Sequence, residues 1–270
     1  MSDVTKELAK DVLFSIRDVS LKLAGQHVLH QVTFDVRDRV RPDAVTGQII
    51  GLLGPSGVGK TRLLRILAGL DSPDDGSVIG PDRKPLVAGD VGVVFQDYPL
   101  LRHRTVLDNL VVAGIANGMN TSEARTRART LLERFGLLER QDRYPAQLSG
   151  GQRQRVAIAQ QIMFPKQLLL FDEPFSGLDP IAVDAVTRLL VEVANMSETS
   201  TLVIVTHDIF AAMMVSDTIL LLGRTKDRPG ANIVDTYDLV ERNLAWRDKV
   251  NEDPAFVALE QEIRARFRTL

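Results

Sequence analysis

The stretch Gly54 Pro55 Ser56 Gly57 Val58 Gly59 Lys60 Thr61 fits the pattern G-x-x-x-x-G-K-[ST] at every fixed position. Its glycines permit a tight turn in which successive backbone N–H groups point into one concavity at a helix N-terminus, where the partial positive charge favours phosphate. Lys60 then reaches the β- and γ-phosphates of a nucleotide. The Thr61 hydroxyl, one residue into the helix, is placed to coordinate the Mg²⁺ that bridges them. Arg62 follows directly and is counted with the loop as a candidate nucleotide-binding residue. The flanks agree with this reading. Gln48 to Leu53 upstream is an apolar run of the kind a buried parallel strand shows. Downstream, Leu63, Leu64 and Leu67 share one helical face, and Gly69 is a stop signal.

With 270 residues, 44% hydrophobic and 25% charged, the chain can bury a full core in one large domain or two unequal lobes. A net charge of −2 gives no bulk reason to expect nucleic acid as a partner. The chain has no cysteine, which excludes disulfides and thiolate metal sites and agrees with a reducing compartment. No apolar run approaches the roughly 18 residues that span a bilayer, and the N-terminus lacks a signal-peptide core. The expected location is therefore cytoplasmic, and any membrane role comes through a partner.

Outward from the loop, Leu13 to Leu23 and Val32 to Val36 read as strands of an antiparallel flank. The first dozen residues read as a loose polar stretch, and Arg37 to Asp43 as a solvated loop. Val91 to Phe95 is a short strand ending at Gln96. From about Arg104 to Phe164 the pattern is helical, with Thr121 as a cap and Gly136 as a stop. Strand signals return at Gln167 to Phe171 and Thr201 to Val205, separated by a helix from about Pro180 to Met196. The expected fold is α/β: a phosphate-loop NTPase core with a parallel sheet, an antiparallel β flank and an inserted helical subdomain. The expected units are 1–96 and 166–225 for the core, 97–165 for the helical signature subdomain and 226–270 for a C-terminal helical tail. In that tail Val257, Ile263 and Phe267, with Leu259 nearby, suggest a last helix that packs on something.

Asp172 and Glu173 end the apolar strand Leu168 to Phe171, and ligands gather at the carboxyl ends of strands in such sheets. Two adjacent carboxylates there are costly without a purpose. In an extended chain they point opposite ways, so Asp172 can serve Mg²⁺ while Glu173 faces an attacking water as general base. A second glycine site, Leu148 Ser149 Gly150 Gly151 Gln152, precedes the helical pattern Arg153 to Met163 and can also hold an anion. Either the chain binds two anions, or this second cradle completes the nucleotide site of another copy. The second option predicts a head-to-tail dimer.

Taken together, GPSGVGKT, LSGGQ, LLLFDEP, SGLD and VTHD, in this order and spacing over residues 13 to 223, closely resemble an ATP-binding cassette ATPase, the motor subunit of ABC transporters. The resemblance implies ATP and Mg²⁺ as cofactors and two cassettes that sandwich two ATP molecules. It implies that Gln96 links the γ-phosphate site to a membrane subunit and counts among the catalytic, nucleotide-binding and Mg²⁺ residues. It also implies that Glu173 polarises water, that Asp179 crosses the dimer interface, and that His207 contacts the γ-phosphate, so Glu173, His207, Gln96 and Lys60 form the catalytic set. The expected partners are a second cassette subunit, a transmembrane permease and a solute-binding protein, with the chain peripheral on the inner face of the cell membrane. Segments such as DEPFSGLDP are similar to importer cassettes for nitrate, sulfonate or other small polar solutes. The competing class is a non-transport cassette acting on nucleic acid or ribosomes, whose usual coiled coils, zinc sites or tandem cassettes are not seen here. A cassette that has lost hydrolysis is a third reading, against which every residue needed for catalysis is in place. Three places depart from the family pattern. Leu23 stands near where an adenine-stacking aromatic is usual, with His27 as a substitute stacker. The loop Arg37 to Thr46 is longer than usual, and Gln160 and Gln161 replace a common Arg-Ala. His27, His30 and His103 show no metal-like grouping.

Overall fold

The computed structural model describes residues 12–38, 47–163, 166–196 and 200–270; most of the loop Arg37 to Thr46 and the polar N-terminal stretch lie outside them. The antiparallel flank is β1 (Val12–Leu23) and β2 (Gln26–Arg37), joined by β4 (Asp75–Ile79) in the order β2-β1-β4. The main sheet runs β5 (Gly92–Val94), β6 (Leu168–Asp172), β7 (Thr201–Thr206), β3 (Gln48–Leu53), β8 (Thr218–Gly223) and β9 (Asn232–Asp238). Its strands are parallel except β9, which closes the edge antiparallel to β8.

β3, β6 and β7 are buried at every position because both faces of the sheet are covered, which is why their sequences read as continuous apolar runs. Ile50, Leu52, Leu168, Leu170, Val203 and Val205 pack toward α1 (Lys60–Leu67) and the antiparallel flank. Ile49, Leu169, Phe171, Leu202 and Ile204 pack on the other face, against α5 (Pro180–Ala194) and α6 (Ile209–Val215). That cluster continues into the helical insert: α2 (Val106–Ala116), α3 (Thr121–Arg134) and α4 (Gly150–Gln161). The two sheets are tied where His30 N–H donates to the Ala231 carbonyl at 2.9 Å and Ala231 N–H to that of Val28 at 3.0 Å. No helix among the described residues is long and apolar enough to cross a membrane.

Four local expectations differ from the structure. β2 begins at Gln26, six residues before the expected start, because Ala24 (φ 48°) and Gly25 (φ 79°) make a two-residue hairpin with left-handed backbone. The cap of α3 is Asn120, not Thr121: its side chain accepts from Glu123 N–H while Glu123 accepts from Asn120 N–H. Residues 232–238, expected within a helical tail, form β9. The last helix, α7 (Pro254–Phe267), buries Phe256, Leu259 and Ile263 against α6 and β8, while Val257 stays 41% exposed. Buffering its own domain with an apolar stripe is what this helix does here.

Candidate functional site

The phosphate loop leaves β3 at Gly54, whose N–H donates to Thr206 O at 3.3 Å. A Cβ at Gly54 would lie 2.5 Å from Leu222 O and 3.1 Å from Val58 Cγ1, so only glycine fits between the ends of β7 and β8. At Gly59 the backbone turns left-handed (φ 119°) to start α1, and no side chain caps that helix. Its first amides therefore remain available to an anion. Gly57 (φ 78°) has open space where a Cβ would stand, and Ser56 is exposed beside it, so the concavity faces outward. Pro55 is half-buried, and Val58 is buried and anchors the loop.

Lys60 is only 6% exposed and donates from Nζ to the carbonyls of Gly54 (2.9 Å) and Pro55 (3.1 Å). Its Nζ lies 3.5 Å from Glu173 Oε1. Burial pulls the Lys60 ammonium below its usual pKa, and Glu173 and Asp172 oppose that shift. Thr61 Oγ1 donates to Asp172 Oδ1 at 3.2 Å. Burial raises the Asp172 carboxyl, with the Thr61 hydrogen bond opposing. These two hard oxygen donors on one side of the loop suit Mg²⁺. Glu173 Oε2 accepts from Thr206 Oγ1 at 3.2 Å and lies 2.9 Å from His207 Nδ1.

Asp172 and Glu173 diverge, though not by strand alternation. The strand stops at Asp172, and Glu173 takes a left-handed backbone (φ 49°), its N–H donating to Val205 O at 2.8 Å. That conformation in a non-glycine residue costs about 1–3 kcal/mol and is characteristic of functional sites. It turns the carboxylate to Lys60, Thr206 and His207 together. Gln96 follows β5 and donates from Nε2 to Ser176 Oγ at 3.2 Å; it shares an open cleft with Arg65, Phe95 and Asp172. Arg62 lies on the exposed side of α1, 3.4 Å from Asp71.

The second cradle is separate. Ser149 Oγ accepts from Gln152 N–H (3.3 Å) and Gln152 Oε1 from Ser149 N–H (3.0 Å), a capping box on α4. Gly150 and Gly151 are exposed, with open space around them. Asp179 is exposed too and caps α5, accepting from Ala182 N–H at 2.9 Å. Among the described residues, no hydrogen bond or ion pair joins Ser149, Gly150, Gly151, Gln152 or Asp179 to the phosphate loop.

Thr206 and Gln154 are functional-site neighbours that sequence reasoning missed. Gln154, 1% exposed, donates from Nε2 to Pro174 O at 2.9 Å and ties α4 to the turn after Glu173. No local signal marked it, because α4 also carries Gln152, Arg153, Arg155, Gln160 and Gln161, and one buried glutamine does not stand out among them. Gln161 accepts from Val93 N–H (3.2 Å) and Gln160 donates to Asn109 O (3.4 Å), so the unusual pair stitches α4 to β5 and α2. Leu23 sits at the exposed hairpin tip, while His27 and His30 contact each other edge to face at 5.0 Å.

Comparison with known proteins gives these groups a context. Residues 38–176 match the family model described as ABC transporter. A sulfate/thiosulfate import ATP-binding protein of Rhizobium meliloti is 41% identical over 71% of this chain, which spans 54% of that relative's length. The L-cystine transport system ATP-binding protein of Escherichia coli is 38% identical, covering 75% of this chain and 83% of its own. The chain thus spans little more than half the length of the sulfate/thiosulfate relative. Among solved structures, the cbiO1 protein of Clostridium perfringens, part of the ABC transporter complex cbiONQ, superposes with a TM-score of 0.73 at 25% identity over 94% of this chain and 99% of that one. A dimeric ATP-binding cassette in a post-hydrolysis state with ADP and Pi superposes with a TM-score of 0.69 at 28% identity over 84% and 99%. On the family match and on relatives covered over most of their length, this chain belongs to the ABC transporter family, among its ATP-binding cassettes.

Proposed function

We propose that this chain binds and hydrolyses Mg-ATP, pairs head-to-tail with a second cassette subunit, and powers import of a small polar solute through a separate membrane permease. The observation that carries the chemistry is the convergence of Lys60, Thr61, Asp172 and Glu173 on the mouth of one phosphate loop. In this reading the loop amides and Lys60 hold the β- and γ-phosphates. Thr61, Asp172 and Gln96 would hold Mg²⁺, whose charge would offset that of the phosphate oxygens. Glu173 orients and deprotonates the attacking water, and its hydrogen bonds to Thr206 and His207 fix it for that task. His207 adds a contact to the γ-phosphate.

The second cradle supports the pairing. Exposed glycines at a helix N-terminus capped by its own Ser149 and Gln152 suit the nucleotide of another copy, with Asp179 alongside. Two such sites form per pair. The permease would dock near Gln96 and the helical insert, leaving the chain peripheral on the cytoplasmic face, with a solute-binding protein as a further partner. The names of the relatives support import, yet sulfate/thiosulfate and L-cystine belong to those proteins.

The test is recovery of the tagged chain from its native membrane, comparing wild type with Lys60→Ala. Wild type should bring a multi-span permease and hydrolyse ATP. The variant should bring the same permease and lose turnover by about a hundredfold or more, as removal of a principal electrostatic donor does. Absence of a permease from both, or full turnover by the variant, overturns the corresponding half of the proposal.

A further inference from the structure

A cavity of about 470 Å³, apart from the nucleotide groups, opens between α5, α6 and the segment joining β9 to α7. Its floor is apolar, made by Val191, Phe210 and Met214. One wall is Trp246, the only tryptophan of the chain, whose indole N–H donates to Val215 O at 2.7 Å and so fixes the ring's edge. Trp246 (φ 55°) and Lys249 (φ 53°) both hold left-handed backbone without being glycine. Paired strain of this kind, about 1–3 kcal/mol at each residue, clusters at ligand clamps. Thr187 also lines the cavity, is 8% exposed, and its hydroxyl has no hydrogen-bond partner among the described residues. Such an orphan is uncommon in a folded interior.

The charges complete the pattern. Arg247 is engaged by Asp253 at 3.1 Å and by Asn243 O at 2.7 Å. Among the described residues the other lining charges, Arg188, Lys249, Asp184 and Asp248, enter no ion pair. Two cations and two carboxylates around an aromatic wall and an apolar floor match a flat apolar body that carries both charges. The lining is mixed, with the charges, Thr187 and Asn251 beside the apolar floor, and polar groups of this kind orient a ligand in small-molecule sites.

We infer that this cavity binds a zwitterion with an aromatic body, the chemistry of an aromatic α-amino acid, with the ring on Trp246 and the carboxylate on Arg188 and Lys249. The ammonium meets Asp184 and Asp248. Occupancy would bear on α5, the helix that also presents Asp179 at its N-cap. This inference does not depend on nucleotide turnover.

The experiment uses the full chain with fluorotryptophan at its single tryptophan position, so that one fluorine resonance reports on Trp246. L-Phenylalanine is titrated without nucleotide. The expected result is a saturable shift with a Kd of about 1 mM or tighter. Arg188→Gln should weaken it by about tenfold, the size of one lost charge-assisted hydrogen bond. Arg188 is exposed, so the variant is expected to fold. Phenethylamine and phenylpropionate, each with one of the two charges, should bind more weakly. No saturable shift up to about ten times that concentration, an unchanged Kd in Arg188→Gln, or equal binding of either single-charge analogue would overturn the inference.

Discussion

The chain builds two candidate anion cradles from the same device, small residues leading into a helix N-terminus, and finishes them in opposite ways. At the phosphate loop the lysine is buried, two carboxylates converge on the loop and one of them is held in a strained turn. At Ser149 to Gln152 the glycines are exposed and the helix is capped by its own residues. Desolvating charge and bending backbone both cost stability, and of the two cradles the first bears both costs. The first is therefore where chemistry is expected. The second has the marks of a surface meant to meet something else.

The largest expected effect breaks the first cradle. Glu173→Gln keeps the size of the side chain and a partner for Thr206 but removes the base. Turnover should fall by about 10²–10⁴-fold with nucleotide binding retained, measured by single-turnover hydrolysis beside equilibrium binding. Near-normal turnover would mean that the strained carboxylate is not the base, and the contrast between the cradles would lose its chemical half.

The next largest tests the second cradle. Gly151 has open space where a Cβ would stand and ordinary helical backbone, so Gly151→Glu should fold with an unchanged thermal midpoint and bind nucleotide normally. If another copy's phosphates meet this loop, like-charge repulsion worth several kcal/mol should cut turnover by about tenfold or more. A variant that turns over at the wild-type rate would show that this cradle serves no second nucleotide.

The contrast was partly legible in the sequence. Both cradles are local: each needs only a run of glycines and the helix behind it, and the buried strands announce themselves as apolar runs. Less visible were contacts between residues distant in the chain. Gln48 and Thr201, hydrogen-bonded side chain to side chain, are 153 positions apart. The left-handed turn at Glu173 is set by the pairing of β6 with β7, which local spacing does not encode. β9 was hidden because its edge position leaves several side chains half-buried or exposed, blurring the apolar signal. In α7, Leu259, Ile263 and Phe267 pack as expected, but Phe256 is buried in place of Val257, because both are apolar and only packing against α6 chooses between them.

The smallest effect lies just behind the first cradle, where α1 ends. Asp71 receives Arg65 in a two-pronged pair, Nε to Oδ2 and Nη2 to Oδ1, both 2.8 Å, with Arg62 at 3.4 Å. Chiefly through the Arg65 hydrogen bonds, the Asp71 carboxyl is held below its ordinary value of 3.8. A carboxylate lowered in the folded state stabilises fully above the unfolded value, and that contribution is lost as pH falls through the folded one. The pair is partly solvated, so Asp71→Asn should cost only about 0.5–1 kcal/mol at neutral pH, a drop in thermal midpoint of about 1–4 °C. The gap between variant and wild type should close as pH falls below 3.8. Turnover should change by less than about twofold, because the loss of a partly solvated pair that makes no contact with Lys60 or Glu173 perturbs the buried lysine little. A larger loss of turnover without a larger loss of stability would mean that the Arg65–Asp71 clamp positions the phosphate loop, extending the first cradle to the whole length of its helix.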